Sequence, residues 1–401
     1  MRFVVASLSF FIWVFMDALS SHDSSDGSAM ARPHAAVMPA EGAKTSVPPA
    51  PVLSAKEIGP VCLVTGGAGY LGSKIVQRLV AAGCEVRSLD VAAQAARPGV
   101  LAIKADLQDA AALQKACVGV DTVFHTAALI SILSTYRKAV KERVFGVNVQ
   151  GTRHLLAAAA QAGVQAFVHT SSFNVALHPN PSGDKQDERS PYATGNKDLY
   201  TMSKIAAEKA VLAANSAAGM RTCALRPGGI WGGDVDVIMI KSFLTQLAAG
   251  KFTVLVGAAQ GKIDNTHVEN LVDAQLLAAR ALRDKSHAAS GQAYNITDDE
   301  TINGMEWFRP LAEGLGYAFP SKYLANGLMI PVAALMEFLH YLGAPEPLLT
   351  TRGLRNLSDQ SCLSIAKAQR DLGYRVRYQR SNGMPQLLVA ARPFVNALQS
   401  A

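Results

Sequence analysis

The sequence "YTMSK" places a phenol and an ammonium group one helical turn apart, at Tyr200 and Lys204. Residues at positions i and i+4 share a helix face, so the two side chains can interact directly. A phenol with its usual pKa of about 10 is a poor base at neutral pH, and a neighbouring cation favours its ionised form. The pair therefore suits proton exchange with an alcohol. The alternative is a solvated surface pair, unless a nucleotide site and a hydroxyl partner exist elsewhere in the chain.

A glycine-rich turn in "VTGGAGYLGS" supplies the nucleotide site, at Gly66, Gly69 and Gly72. An apolar run typical of a strand precedes the turn and a helical pattern follows it, which is the context of a dinucleotide-binding loop. The glycines allow a tight turn and a close approach of the pyrophosphate to the N–H groups of the helix. Asp90 ends the next predicted strand, where its carboxylate can accept hydrogen bonds from the ribose hydroxyls and repel a 2′-phosphate. The sequence therefore predicts NAD rather than NADP as the cofactor.

Further cofactor contacts are predicted at the ends of the third and fourth strands. Asp106 in "KADLQD" can meet the adenine amino group, and the small residues of "HTAA", which include Ala127, let a nucleotide lie against the backbone. His125 is interpreted as a packed strand residue and is assigned no role. The complete predicted cofactor set is Gly66, Gly69, Tyr70, Leu71, Gly72, Asp90, Asp106, Leu107, Ala127, Lys204 and Pro227.

The hydroxyl partner of Tyr200 is predicted at the end of the fifth strand, in "HTSS". Ligands of open α/β sheets bind at the carboxyl edge of the strands, where Ser171 and Ser172 should lie. A hydroxyl from this pair is predicted to orient the substrate oxygen and to stabilise charge on it. Asn148 of "NVQGT", on the preceding helix, is predicted to support the site through its backbone or a water molecule. The predicted catalytic set is Tyr200, Lys204 and one of these two serines, with no metal.

Strand and helix patterns alternate from about residue 60 to residue 235. This alternation predicts a Rossmann-type, doubly wound parallel sheet covered by helices. The predicted strands are "VCLVT", "EVRSLD", "VLAIKAD", "DTVFHTAA", "AFVHTSS" and "RTCALRPGGIWG", and one long helix is predicted over "VFGVNVQGTRHLLAAAAQAG". Beyond residue 235 the alternation weakens, so residues 236–401 are predicted to form a smaller part that mainly binds the substrate.

Composition narrows the class of protein. Hydrophobic residues make up 49% of the chain, which is enough for a large buried core, and the net charge is only +7. The cations are scattered rather than clustered with aromatic residues, so no nucleic-acid partner is predicted. The five cysteines are widely spaced and contain no CxxC pair, which argues against a disulfide framework and a zinc site and indicates a reducing compartment.

The N-terminal region differs from the rest of the chain. Residues 1–20 contain the apolar run "FVVASLSFFIWVFM", which is too short for a comfortable membrane span and suits a signal peptide or short anchor. A start at Met30 is the alternative. Residues 21–59 have linker composition and are predicted to be disordered. The apolar stretch at 323–343 is predicted to be a buried or membrane-facing amphipathic helix.

These motifs together resemble the extended short-chain dehydrogenase/reductase superfamily over about residues 60 to 380. Within it, "LRPGGIWGGD", "KIDNTHVENLVDAQLLAARAL", "GQAYNITDDET" and "KAQRDLGYRV" are similar to the 3β-hydroxysteroid dehydrogenase group, which includes sterol-4α-carboxylate 3-dehydrogenases. The resemblance implies that Tyr200 is the general acid/base, Lys204 its partner and Ser172 the substrate-orienting group. It also implies a location at the endoplasmic reticulum membrane or the cytoplasmic face of a membrane, with a cytoplasmic protein as the alternative, and a homodimer by analogy.

The function expected from this resemblance is NAD-dependent oxidation of the 3β-hydroxyl group of a sterol or steroid. Loss of a 4-carboxyl group, or isomerisation of a 5,6 double bond, is expected to follow if the substrate carries that group. Two alternatives stay open: a nucleotide-sugar epimerase, dehydratase or flavonoid-type reductase of the same superfamily, and a non-enzymatic NAD sensor. The N-terminal extension and the stretch from Ile130 to Arg143 match no part of the pattern, so the exact substrate is not predicted.

Overall fold

The computed structural model describes residues 47–400 except 131–137, 179–182, 195–197, 345–346 and 348. Its strands are β1 (Val61–Thr65), β2 (Glu85–Asp90), β3 (Val100–Lys104), β4 (Thr122–His125), β5 (Ala166–Thr170), β6 (Arg221–Pro227), β7 (Gly229–Trp231), β8 (Lys262–His267), β9 (Gln292–Ile296), β10 (Thr301–Ile302) and β11 (Gln360–Ser361). The predicted segment 1–20 and most of the predicted linker lie outside the described residues.

The helices alternate with these strands. They are α1 (Ala55–Ile58), α2 (Tyr70–Ala81), α3 (Ala110–Cys117), α4 (Lys138–Phe145), α5 (Thr152–Gln161), α6 (Leu199–Ala213), α7 (Ile238–Ala248), α8 (Val268–Arg283), α9 (Arg309–Gly314), α10 (Asn326–Tyr341), α11 (Thr351–Asn356), α12 (Ala366–Leu372) and α13 (Arg380–Gln399). Among the described residues, no helix combines the length and the apolar character needed to cross a membrane.

A seven-stranded parallel sheet forms the centre of the molecule, in the order β3-β2-β1-β4-β5-β6-β9. Helices α2 and α8 cover one face, and α3, α5 and α6 cover the other. The strand order reverses between β1 and β4, which is the topological switch point where ligands of such sheets bind. The predicted Rossmann-type fold is confirmed.

The central sheet and its helices continue beyond the predicted boundary at residue 235. Helix α8 and strand β9 lie beyond it, yet β9 pairs with β6 and α8 packs on β5 and β6. The chain leaves the sheet after β6, builds α7 and the small sheet around β8, and then returns. Helices α7, α9 and α13 pack around Trp231, Phe243 and Trp307 in a separate apolar cluster.

The predicted linker extends too far along the chain. Leu53 and Ile58 are buried in the core, and α1 packs on α8. The carbonyl oxygen of Ile58 accepts a 2.6 Å hydrogen bond from Thr122 Oγ1, and Ala55 donates its N–H to Ala82 at 3.0 Å. These contacts and the burial of two apolar side chains order residues 53–58. The linker-like composition around them does not indicate this burial.

The long helix predicted before the fifth strand is interrupted. Between α4 and α5 the backbone forms a wider π-helical turn over Gly146–Gly151. A Cβ atom at Gly151 would lie 2.6 Å from the Cβ of Leu107, so the turn approaches the neighbouring loop more closely than a larger residue allows. Such turns are often found at functional sites, and this one contains Asn148.

Candidate active site

The glycine loop between β1 and α2 is packed too tightly for side chains. Gly66 adopts a positive φ of 72°, and a Cβ atom there would lie 2.9 Å from the backbone of Ala127. A Cβ atom at Gly72 would lie 2.0 Å from the carbonyl oxygen of Gly66. Gly69 directly precedes α2 and is exposed. The loop therefore leaves the N-terminus of α2 open to an anion, and this fits a dinucleotide pyrophosphate.

Replacing Gly72 with alanine should weaken NAD binding by about tenfold or more, because the new Cβ meets backbone that cannot move without opening the loop. Calorimetric titration with NAD measures the effect. Gly327→Ala is the matched control, since a Cβ atom at Gly327 meets nothing within 4 Å. Equal NAD affinity in the two variants would contradict the loop assignment.

Two carboxylates lie at the edge of the sheet beside this loop. Asp90 accepts hydrogen bonds from the N–H groups of Ala68 at 3.1 Å and Ala92 at 2.9 Å, which hold its side chain against the glycine loop. Asp106 is exposed after the neighbouring strand β3 and accepts from the N–H group of Gln108 at 2.9 Å. Both positions suit hydrogen-bond donors of an adenosine moiety.

Several residues of the predicted cofactor set do not point their side chains toward the loop opening. Leu71 and Leu107 are buried in the apolar clusters on opposite faces of the sheet. The hydroxyl of Tyr70 lies against Gly232, whose ideal Cβ would be 2.6 Å away, and burial raises the pKa of this phenol. Pro227 is buried at the end of β6, paired with β9. Their roles in cofactor binding stay predictions.

Helix α6 carries Tyr200 and Lys204. Asp198 caps its N-terminus by accepting from the N–H group of Thr201 at 3.2 Å, which places Tyr200 in the first turn and Lys204 one turn later. Lys204 is 3% exposed, and its Nζ donates to the carbonyl oxygen of Thr170 at 2.6 Å. This bond ties α6 to the end of β5, immediately before the two serines.

The structure distinguishes the two serines. The hydroxyl of Ser172 lies close enough to the phenol of Tyr200 to lower its pKa by hydrogen bonding. Ser171 donates its backbone N–H to Leu225 at 2.7 Å, and its buried hydroxyl has no partner in the described part of the chain. Ser172, Tyr200 and Lys204 are therefore brought together, and Ser171 does not join them.

Burial is the largest influence on the pKa values of Tyr200 and Lys204. It raises the pKa of Tyr200 to about 12, opposed by the hydrogen bond from Ser172 and reinforced by the charge of Asp198. Burial also lowers the pKa of Lys204 to about 8, opposed by Glu208. The sequence predicts that the ammonium group favours the phenolate, but in the protein alone the cost of burying a phenolate outweighs this effect. At neutral pH the phenol is protonated.

Sequence reasoning missed two ion pairs that involve α6. Arg352 of α11 lies with Nε 3.2 Å from Oδ2 of Asp198, so a distant helix neutralises the capping carboxylate next to Tyr200. Arg226 of β6 pairs with Glu208 at 2.6 Å. The capping role of Asp198 was readable from its position before a helical pattern, but no local signal indicates either arginine partner.

Asn148 contacts α6 through its side chain. Its Nδ2 donates to Ser203 Oγ at 2.9 Å, and its Oδ1 accepts from the N–H group of Leu129 at 2.7 Å. Its backbone oxygen accepts from Thr152 Oγ1 at 2.6 Å. The prediction for Asn148 named its backbone or a water molecule, whereas these contacts join the loop after β4 to α6 through the amide group.

Comparison with known sequences adds the family. The 3-beta hydroxysteroid dehydrogenase/isomerase family matches residues 63–325. The 3 beta-hydroxysteroid dehydrogenase/Delta 5-->4-isomerase of Mycobacterium tuberculosis is 40% identical over 338 residues, which cover 83% of this chain and 90% of that protein. The 3beta-hydroxysteroid-dehydrogenase/decarboxylase isoform 1 of Arabidopsis thaliana is 34% identical over 346 residues, which cover 80% of this chain and 77% of that protein.

Solved structures share the fold. A short-chain dehydrogenase/reductase superfamily protein from Agrobacterium tumefaciens with bound NAD has a TM-score of 0.64 and 22% identity, covering 85% of this chain and 100% of that one. The UDP-glucose 4-epimerase of Thermotoga maritima with UDP-glucose has a TM-score of 0.65 and 20% identity, covering 84% and 99%. At these identities the likeness concerns the fold alone. By its sequence match and its fold, this chain belongs to the 3-beta hydroxysteroid dehydrogenase/isomerase family of oxidoreductases.

Proposed function

We propose that the protein catalyses the NAD-dependent oxidation of the 3β-hydroxyl group of a sterol or steroid. The observation that carries this proposal is the placement of Tyr200 and Lys204 on α6, with Lys204 anchored to the end of β5 just before Ser172, at the carboxyl edge of a sheet that also bears the glycine loop. Membership of the family supports the substrate class. The two relatives named above are a dehydrogenase/isomerase and a dehydrogenase/decarboxylase of 3β-hydroxysteroids.

The mechanism assigns one task to each side chain. Ser172 donates its hydroxyl proton to the substrate oxygen and orients the alcohol toward Tyr200. The oxygen of Tyr200 takes the hydroxyl proton as general base while the carbon–oxygen double bond forms at C3. Lys204 stabilises the phenolate and would hold the nicotinamide ribose. A bound NAD would supply the hydride acceptor for C3 and a positive charge that favours the phenolate.

The pH dependence of the oxidation follows from these groups. The base must be a phenolate, and since burial raises the pKa of Tyr200 to about 12, its ionised fraction grows with pH. Lys204 must be an ammonium, and this form is lost above its lowered pKa of about 8. We expect kcat/KM for oxidation to rise about tenfold per pH unit at low pH and to level off near Lys204's pKa, because the two fractions then change in opposite directions. A pH–rate profile that falls between neutrality and that point would contradict the roles.

Two fates of the 3-keto product remain as finer proposals. If C4 carries a carboxylate, the product is a β-keto acid, whose C4–carboxyl bond breaks with release of CO2 while the electron pair stays on C4. If the substrate has a 5,6 double bond, a proton moves from C4 to C6 and the double bond shifts to C4–C5. The higher identity to the mycobacterial dehydrogenase/isomerase, 40% against 34%, favours the second fate. Mass spectrometry of the products from a 5-ene and a 4-carboxy substrate separates the two.

The described C-terminal part supports an apolar substrate and a membrane location. Helix α10 has large exposed apolar side chains along its last turns, at Leu335 (41%), Phe338 (55%) and Tyr341 (55%). We propose that this helix face rests on the endoplasmic reticulum membrane, from which a sterol can enter the site. Vesicle flotation tests this, with failure to float on neutral or anionic vesicles as the contrary result. NDP-sugars, assayed beside sterols for NADH formation, test the alternative class of substrate.

A further inference from the structure

A chain of buried polar groups begins at the glycine loop and passes through His125. Thr65, the residue before Gly66, has its Oγ1 2.7 Å from Nδ1 of His125. On the other side of the ring, Nε2 lies 2.9 Å from Oγ1 of Thr152. The three side chains are buried and come from β1, β4 and α5. Both ring nitrogens of His125 are therefore used in contacts between different elements.

The same chain continues to the first turn of α6. Thr152 Oγ1 donates to the backbone oxygen of Asn148 at 2.6 Å. The side-chain amide of Asn148 donates to Ser203 Oγ at 2.9 Å, and Ser203 Oγ donates to the carbonyl oxygen of Tyr200 at 2.7 Å. A series of hydrogen bonds, joined through the covalent structure of Asn148, thus links the strand that precedes the glycine loop to the backbone of the proposed general base.

The direction of donation fixes the tautomer of His125. A hydroxyl has one proton, and Thr152 gives its proton to Asn148, so Thr152 must accept from Nε2–H of His125. Nδ1 is then unprotonated and accepts from the hydroxyl of Thr65. Burial, reinforced by the charge of Lys204, lowers the pKa of His125 to about 3, so the ring is neutral at any working pH. In each hydrogen bond from Thr65 to Tyr200, the donor is therefore on the Thr65 side and the acceptor on the α6 side.

We propose that His125 is a positioning residue, whose fixed Nε2–H tautomer holds Tyr200 in register with the dinucleotide loop. The inference rests on the proposed function, since it concerns the placement of the proposed base. Buried polar chains whose members are all paired rigidify the elements that they join. Small displacements of a reacting group have large effects on rate. The hydrogen-bonded series therefore affects kcat through Tyr200 without contacting the substrate. This role for His125 differs from the sequence-based expectation, which assigned it none.

The test uses matched threonine variants. Thr152→Val removes the hydroxyl at nearly constant volume, Thr152→Ser keeps it, and Thr122→Val is the control. Thr122 lies on β4, as His125 does, and is buried. It donates one 2.6 Å hydrogen bond, but to Ile58 at the far end of the strand from His125. We expect Thr152→Val to lower kcat by about tenfold to a hundredfold with unchanged affinity for NAD. Thr152→Ser should restore kcat, and Thr122→Val should lower the thermal midpoint without changing kcat.

A purely structural role would lower the thermal midpoint of Thr152→Val and Thr122→Val alike and leave kcat unchanged in both, which would overturn the proposal. If Thr152→Val does not fold, Thr65→Val interrupts the series of hydrogen bonds at its other end, and the same loss of kcat is expected. Nitrogen-15 NMR of the wild-type imidazole rings provides an independent readout: a buried ring protonated on Nε2 supports the chain, and one protonated on Nδ1 overturns it. Absence of turnover by the wild type would contradict the proposed function instead, and the NMR result would then decide the tautomer alone.

Discussion

Tyr200→Phe should lower kcat for 3β-hydroxysteroid oxidation by about 10² to 10⁴-fold, the usual contribution of a positioned acid/base group. The variant removes only the oxygen that contacts Ser172, and the ring keeps its packing in the first turn of α6. NAD affinity should change little, because the glycine loop and Asp90 are untouched. Steady-state kinetics and calorimetric titration measure the two quantities on the same preparation.

Two controls sharpen this prediction. Tyr317→Phe makes the same substitution in the C-terminal part, where the phenol accepts from Gln399 at 2.8 Å, and it should keep full activity. Ser172→Ala should share the loss of kcat with Tyr200→Phe, whereas Ser171→Ala should not, because only Ser172 meets the phenol. Full turnover in Tyr200→Phe would remove Tyr200 from the mechanism.

Glu208→Gln should lower the free energy of unfolding by about 3–5 kcal/mol, the usual cost of leaving one partner of a buried ion pair without its counter-charge. Glu208 is fully buried and the Arg226 side chain is 5% exposed; several hydrogen bonds join them, the shortest at 2.6 Å. Tyr192 adds a third donor to the carboxylate at 3.0 Å. The change in the urea midpoint measures the loss.

The control for Glu208→Gln is the same substitution at Glu142, whose pair with Lys138 is exposed at 64% and 91% and should contribute little. A paired replacement, Glu208→Leu with Arg226→Met, should recover much of the stability. Glu208 also raises the pKa of Lys204, so Glu208→Gln should move the upper break of the pH–rate profile to lower pH. Similar urea midpoints for the Glu208 and Glu142 variants would contradict the account of the buried pair.

Local patterns in the sequence were sufficient to predict the first six strands of the sheet and the helix that carries Tyr200 and Lys204. Strands β1, β4, β5 and β6 are short apolar runs that are almost entirely buried, and α2 and α5 have an apolar period and a glycine just past their ends, so the local pattern and the final packing agree there. Tyr200 and Lys204 could be placed on one helix face because their i and i+4 spacing is also a local feature of the sequence. The glycine loop was readable because the strand, the turn and the helix are contiguous.

Long-range features could not be predicted in the same way. Strand β9 joins the sheet after an excursion through α7 and β8, and no local pattern indicates where a chain returns. The contacts of Asp198 with Arg352 and of His125 with Thr65 join residues far apart in sequence. The burial of Ile58 depends on β4 and α8, which only the folded chain brings against it.

The most direct test of the proposed function is a comparison of two epimeric substrates. NADH formation would be followed with NAD and a steroid that carries either a 3β- or a 3α-hydroxyl group. The account predicts turnover of the 3β epimer, loss of that turnover in Tyr200→Phe, and little or no turnover of the 3α epimer. Equal turnover of the two epimers, or none with the 3β epimer while NAD binds, would contradict it.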